Sequence, residues 1–195
     1  MNEEKLKIIK EKALEEHIPI IMDDTLEVID IYLKEMKPKR ILEIGTAVGY
    51  SAICFSKYLA EDGIIDTIER DEERIAEAKE NIKEMKLDSK INIYEGDAVE
   101  ILPTLNNKYD AIFIDAAKGK YTFFLEQALR MLDEKGIIFA DNILYKGYVL
   151  SDYNKHKQRT AVRNLREYIK QTTENIELET QILEVGDGLA ITQKK

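Results

Sequence analysis

Cysteine is nearly absent from this chain. The single one, Cys54, sits in the apolar stretch AICF, which excludes a disulfide framework and a cysteine-based zinc site. No run of eighteen apolar residues occurs, which excludes a membrane-spanning helix and a membrane partner. The leading residues, MNEEKLKIIKEKALEEH, are charged and lack the apolar stretch of a signal peptide, so a reduced, cytoplasmic setting is expected. Basic residues number 29 against 38 acids, and the net charge of −9 argues against indiscriminate nucleic-acid binding. That deficit is uneven. Residues 1–37 carry ten acids and six bases, whereas Leu144–Lys170 carry seven Lys or Arg and two acids, so an anionic partner should meet the second region. Repeats, low-complexity tracts and Pro/Gly/Ser linkers are also missing. The 195 residues, 44% of them hydrophobic, therefore suit a single domain, 1–195, with helices over 1–37 and an α/β core over 38–195.

Hydrophobic periodicity supplies the elements. Glu3–Glu16 and Asp23–Met36 read as helices, separated near Pro19. Beyond Pro38, strands (Arg40–Ile44, Ile64–Ile68, Ile91–Tyr94, Ala111–Ile114, Gly136–Ala140) alternate with helices (Tyr50–Leu59, Glu72–Met85, a short one near Val99–Leu102, Thr122–Leu132). Such alternation predicts a doubly wound, mostly parallel sheet with helices on both faces. The ending differs: a long helix over Lys157–Lys170, then Ile176–Leu183 and Leu189–Thr192 joined by Gly-Asp-Gly like an antiparallel hairpin.

In open parallel sheets, ligands sit beyond the carboxyl ends of the strands. Here each strand end brings an acid: Glu43 before Gly45, Glu69, Asp97, Asp115, and Asp141 beside Asn142. The turn Gly45-x-x-x-Gly49 is not the GxGxxG of a nicotinamide cofactor, and Glu43 puts negative charge where a pyrophosphate would lie. Glu69 is spaced to accept both hydroxyls of a ribose, and Asp97 to meet an adenine edge. A cationic adenosyl cofactor, S-adenosylmethionine (SAM), suits this acidic rim better than NAD. Taken singly, Gly45 reads as a tight turn, Glu69 as a charged helix start and Asp97 as a cap; the case rests on their recurrence at strand ends.

A second constellation lies in FIDAAKGKY and FADNILYKGYV. Asp115, Asp141 and Asn142 offer only oxygen donors, which suits a hard cation such as Mg²⁺ rather than zinc. Lys118 stands three residues after Asp115, and a neighbouring divalent cation lowers a lysine pKa toward that of a base.

The ordered set EIGTAVGYSA, Glu69, GDA, IDAAKGKY and ADNILYKGYV resembles the metal-dependent, SAM-dependent O-methyltransferases of the catechol and caffeoyl-CoA type. Within them it is most similar to the bacterial branch that includes tRNA 5-hydroxyuridine methyltransferases. The resemblance runs from about Ile18 to the C-terminus; the N-terminus is short beside many relatives. It implies a Rossmann-like, seven-stranded sheet whose last strands form the antiparallel hairpin. It also implies that Gly45 and Ser51 contact SAM, Glu69 its ribose and Asp97-Ala98 its adenine, with Met22 over the cofactor and Glu43 and Asp115 beside it. Asp115, Asp141 and Asn142 are implied to hold Mg²⁺ (or Mn²⁺), with Lys118, supported by Asp115, as catalytic base.

Metal-assisted methyl transfer demands an acceptor with neighbouring oxygens, such as a catechol or 5-hydroxyuridine. On the C-terminal helix Arg159, Arg163, Arg166 and Lys170 form a stripe, with Ala161, Val162, Leu165, Tyr168 and Ile169 on another side. Tyr145 and Tyr148 lie where a base can stack. These features favour the tRNA wobble 5-hydroxyuridine as substrate, giving 5-methoxyuridine. The alternatives are a small catechol-like phenol, a non-catalytic SAM-binding RNA module and, more remotely, an NAD-dependent oxidoreductase. Oligomeric state is left open, a homodimer included.

Overall fold

The protein's structure, a computed structural model, describes residues 2–152 and 156–195. Two compact units make up the chain, Met1–Leu105 and Asn106–Lys195.

In the first unit, helices α1 (Glu3–Glu15) and α2 (Asp23–Met36) precede β1 (Arg40–Ile44), α3 (Tyr50–Ser56), β2 (Ile64–Glu69), α4 (Glu72–Glu84), β3 (Ile91–Glu95) and a short α5 (Ala98–Ile101). Each begins or stops for a local reason. Asn2 caps α1 by accepting the Lys5 N–H, and Asp71 caps α4 by accepting those of Glu73 and Arg74. Lys37, in the left-handed region ahead of Pro38, ends α2. The three strands run parallel in the order β3-β2-β1, with Ile44 beside Ile68 and Ile68 beside Tyr94. That register places Gly45, Glu69 and Asp97 at adjacent carboxyl ends. Ile41, Leu42, Ile44, Ile65, Ile68 and Ile91 are the strands' buried apolar residues. Asp66, buried in the middle of β2, is neutralised by Arg40 at 3.0 Å and receives the Asn92 amide.

The second unit holds β4 (Tyr109–Ile114), α6 (Tyr121–Met131), β5 (Leu132–Ala140), α7 (Arg159–Thr173), β6 (Leu178–Leu183) and β7 (Leu189–Lys194). Here β4 and β5 are parallel, while β5, β7 and β6 pair antiparallel in that order. On α7, Val162, Leu165, Tyr168 and Thr172 are buried at helical spacing, and Tyr168 meets the Tyr121 ring edge-on at 5.7 Å. The expected fold class is the observed one: seven strands, mostly parallel, an antiparallel C-terminal hairpin, and helices packed around them.

The largest departure from the sequence reading is β5. Periodicity suggests a helix through Leu132 and a strand from Gly136, yet the strand begins at Leu132. Leu132 pairs with Tyr109 and Ile137 with Ala111, so the charged residues between them form an irregularity that periodicity cannot see. A Cβ on Gly136 would stand 2.7 Å from the Leu132 side chain and 3.0 Å from the Tyr109 carbonyl oxygen, which explains the glycine there. The long helix also starts and ends later than expected, over Arg159–Thr173. No helix among the described residues is long and apolar enough to cross a membrane.

Candidate active site

In the first unit, the turn after β1 is drawn to the end of β2. Gly45, at φ 104°, donates its N–H to the Ile68 carbonyl at 3.1 Å. Glu69 accepts from the Ala47 N–H at 2.9 Å through one carboxylate oxygen, and from the Arg70 and Asp71 N–H groups at 2.9 and 3.0 Å through the other. Asn81 of α4 donates to the Val48 carbonyl at 2.9 Å and fixes the far side of the turn. Glu69 thus shapes the turn, and its carboxylate, with about four lone-pair sites, keeps acceptor capacity for a ligand hydroxyl. Asp97 accepts the Val99 N–H at 2.9 Å and lies 3.4 Å from Arg70, so it is both the cap of α5 and a part-exposed carboxylate; Ala98 follows, half-buried. Met22, 51% exposed at the start of α2, belongs to the same unit.

In this unit one residue is placed otherwise than expected. Glu43 is not on the rim: it is fully buried, and its carboxylate accepts from the Ser51 hydroxyl and, at 2.6 Å, from the Thr67 hydroxyl. The apolar residues flanking it on β1 turn toward the core, and Glu43 is admitted among them because hydroxyls satisfy it. Its carboxylate therefore faces Ser51 and Thr67, not the strand-end rim. Thr67, which sequence reasoning missed, carries no signal beyond a polar residue inside an apolar strand.

In the second unit, Ile114 lies beside Ala140, so the next residues, Asp115 and Asp141, emerge together at the carboxyl ends of β4 and β5. Lys118 joins them through the single helical turn that follows Asp115. Its ammonium donates to Asn142 Oδ1 at 2.8 Å and stands 3.6 Å from Asp115 Oδ1. Asp141 is 1% exposed, and burial, reinforced by the negative charge of Asp115, pushes its carboxyl up to about 7. The Asn142 N–H at 2.7 Å and Lys118 oppose that rise without cancelling it. Tyr121, also missed, donates its hydroxyl to the Asp141 carbonyl oxygen at 2.7 Å and holds that backbone in place. Asp115, Lys118, Asp141 and Asn142 are therefore one cluster.

The chemistry of this cluster fits a divalent cation. Every side-chain donor other than Lys118 is an oxygen, and two carboxylates face one ammonium, a shortage of positive charge felt at Asp141. Among the described residues no group of three or more His, Cys, Asp and Glu is gathered, so the set relies on the amide oxygen of Asn142.

The expected substrate residues divide. Arg159, Arg163 and Lys170 are exposed and, with Thr160 and Glu167, line a groove of about 660 Å³ along α7. Arg166 borders that groove, but its guanidinium is spent on backbone: Nε donates to the Val149 carbonyl at 3.0 Å, and Nη2 to those of Tyr148, at 3.2 Å, and Ser151. Expecting it as a phosphate ligand overlooks this use, since partners seventeen or so residues away leave no trace in helical spacing. The half-buried Tyr145 and Tyr148 rings pack edge to face, 5.8 Å apart. Lys155, part of the basic segment, lies outside the described residues.

A family model described as O-methyltransferase matches residues 2–195. The chain is 36% identical over 162 residues to a catechol O-methyltransferase of Niastella koreensis, spanning 78% of this chain and 72% of that one. It is 29% identical over 174 residues to a caffeoyl-CoA O-methyltransferase of Populus kitakamiensis, spanning 85% and 74%. Among solved structures, a Staphylococcus aureus protein described as a caffeoyl-CoA O-methyltransferase superposes with a TM-score of 0.90 at 34% identity, covering 97% of this chain and 92% of that one. TomG of Streptomyces achromogenes, crystallised with SAM, shares the fold at a TM-score of 0.88 and 23% identity, over 98% and 90%. The chain belongs to the SAM-dependent O-methyltransferase family of the catechol and caffeoyl-CoA type, and is an enzyme of that class.

This class and the Glu69 geometry make a first expected result. Glu69→Ala frees the turn after β1 and removes the proposed ribose acceptor, so SAM affinity in titration calorimetry should fall at least about tenfold, or ~1.4 kcal/mol. Wild-type protein should be stabilised by SAM and not by NAD in thermal melts. An unchanged affinity would show that Glu69 serves the turn alone.

Proposed function

We propose that this enzyme methylates one hydroxyl of a small phenol bearing a second, adjacent oxygen, with Mg²⁺ or Mn²⁺ held by Asp115, Asp141 and Asn142. The observation that carries this reading is the Asp115–Lys118–Asn142 contact beside buried Asp141. The catechol activity named for one relative agrees with it. When bound, the cation would supply a Lewis acid that lowers the pKa of the acceptor hydroxyl. When bound, SAM supplies the methyl group on a sulfonium. In this reading Gly45, Ser51, Glu69, Asp97, Ala98 and Met22 hold SAM, and Glu43 orients Ser51.

Lys118 takes the phenolic proton. A neutral lysine amine keeps two N–H bonds, so it can continue to donate to Asn142 while its lone pair faces the acceptor. Alignment and deprotonation are then the chain's two contributions to an in-line displacement. The whole chain acts as one methyltransferase domain, in the cytoplasm.

A second reading rests on the α7 groove. Arg159, Arg163 and Lys170 are free of the backbone duty that occupies Arg166, and they suit the phosphates of a tRNA whose wobble 5-hydroxyuridine presents adjacent oxygens. We place it second because the loss of Arg166 shortens the stripe.

Incubation with labelled SAM separates the two. Catechol should accept label in Mg²⁺, lose it in EDTA and regain it with Mn²⁺. Transfer to tRNA lacking the wobble methoxy group, with none to catechol, would reverse the order of the readings. Full transfer in EDTA would remove the metal from both.

A further inference from the structure

The segment after β5 is bent against its own preferences. Asn142, Tyr145 and Lys146 all have positive φ, at 57°, 46° and 57°, and Gly147 follows at 73°. The left-handed region is unfavourable for a residue with a Cβ, least so for asparagine, so the conformation persists only where its surroundings impose it.

Two clamps do so. On one side, the turn between β6 and β7 takes three N–H groups of the segment: Ile143 donates to the Gly188 carbonyl at 3.0 Å, Leu144 to the Asp187 carbonyl at 2.9 Å, and Lys146 to Asp187 Oδ1 at 2.6 Å. Gly188 has φ +92°, and a Cβ there would come within 2.3 Å of Leu144 Cγ, so this approach requires glycine. On the other side, Arg166 of α7 gathers the carbonyls of Tyr148, Val149 and Ser151. Asn142, whose amide oxygen holds Lys118, directly precedes the first clamp, and the Tyr145–Tyr148 ring pair links the stretch held by the first clamp to that held by the second.

We propose that Asp187 and Arg166 are positioning residues, which hold segment 142–151 so that Asn142 and Tyr145 present a flat aromatic acceptor to Lys118. The proposal rests on the phenol-methylating reading and adds two residues, on separate elements, that never touch the acceptor. The chemistry predicts an unequal response to conservative change. An asparagine at 187 still offers an oxygen to the Lys146 N–H. A lysine at 166 keeps the charge but not the planar fork that serves several carbonyls at once.

The full-length protein tests this in two ways. Endoproteinase Lys-C reports the clamp itself, since Lys146 is exposed and cleavage there yields a fragment beginning at Gly147. Steady-state kinetics with catechol and SAM report its consequence. In Arg166→Ala, Arg166→Lys and Asp187→Ala, cleavage at Lys146 should quicken by about tenfold or more, as expected when local opening is released without global unfolding. The KM for catechol should rise by at least about fivefold in these variants, while the KM for SAM and the cleavage rate at Lys5 and Lys7 of α1 stay within about twofold. Asp187→Asn should stay near wild type in every measurement.

Three results would overturn the proposal. One is unchanged cleavage at Lys146 in Arg166→Ala. Another is full recovery by Arg166→Lys, which would make charge, and hence a phosphate contact, the role of this residue. The third is a uniform rise in cleavage at all lysines together with both KM values, which marks general destabilisation. If wild-type enzyme methylates no catechol, the phenol reading fails by itself; cleavage at Lys146 and the KM for tRNA then decide the clamp.

Discussion

Lys118→Met should lower kcat for methyl transfer by about two to four orders of magnitude, the range for removal of a positioned general base. The SAM-stabilised rise in melting temperature should remain, because the residues assigned to the donor belong mostly to the first unit. Methionine approximates the apolar stem of the side chain, whose Nζ stands 5.8 Å from the Tyr121 ring centroid. What it loses is the nitrogen that donates to Asn142 at 2.8 Å and faces Asp115 at 3.6 Å. Lys118→Arg separates charge from proton transfer: arginine preserves the positive charge but does not deprotonate in this pH range, so it should be nearly as slow. The pH–rate profile of the residual activity should lose its dependence on a base. A kcat within about fivefold of wild type in both variants would exclude Lys118 as proton acceptor.

The second large effect belongs to Asp141 and is read in stability. Its carboxyl is raised from 3.8 to about 7 by burial and by Asp115, so the folded state binds a proton that the unfolded state has released between those values. Stability changes with pH in proportion to protons bound by the unfolded minus the folded state, which is negative in this window. In EDTA the protein should therefore be most stable, as far as this group is concerned, below about pH 4, and should lose stability as pH rises toward about 7. The loss is on the order of 2–4 kcal/mol, at ~1.4 kcal/mol per pH unit. Asp141→Asn, which retains an oxygen for the Asn142 N–H, should flatten that decline in urea denaturation curves. The same variant should be inactive, and Mg²⁺ should stabilise wild type near pH 7 but not the variant. Identical pH–stability curves for the two proteins would mean that Asp141 titrates normally.

Much of the molecule was legible beforehand because its determinants are local. Asp23–Met36 and Arg40–Ile44 match the expected boundaries, since a helix or strand of this kind is announced by its own apolar period and by Lys37 and Pro38 between them. The candidate cluster was legible for a related reason. Once the parallel pairing of β4 and β5 is inferred, Asp115 and Asp141 must emerge side by side, whatever the register of the remaining strands. The start of β5 was hidden because the Asp-Glu-Lys run at 133–135 has no period, and only its pairing to Tyr109 makes it strand.

The sequence by itself determined the alternation of elements, the acids at the strand ends and the oxygen-only character of the donor set, because these depend on residue order and on side-chain chemistry. Tertiary structure alone decided what each polar group spends its hydrogen bonds on. Glu43 turned inward to Ser51 and Thr67, Glu69 took the turn after β1, Arg166 left the basic stripe for three carbonyls, and Asp187 reached Lys146 across 41 residues. A charged side chain meets whichever unsatisfied N–H or C=O the folded chain brings within about 3 Å, and that proximity is written in no local pattern.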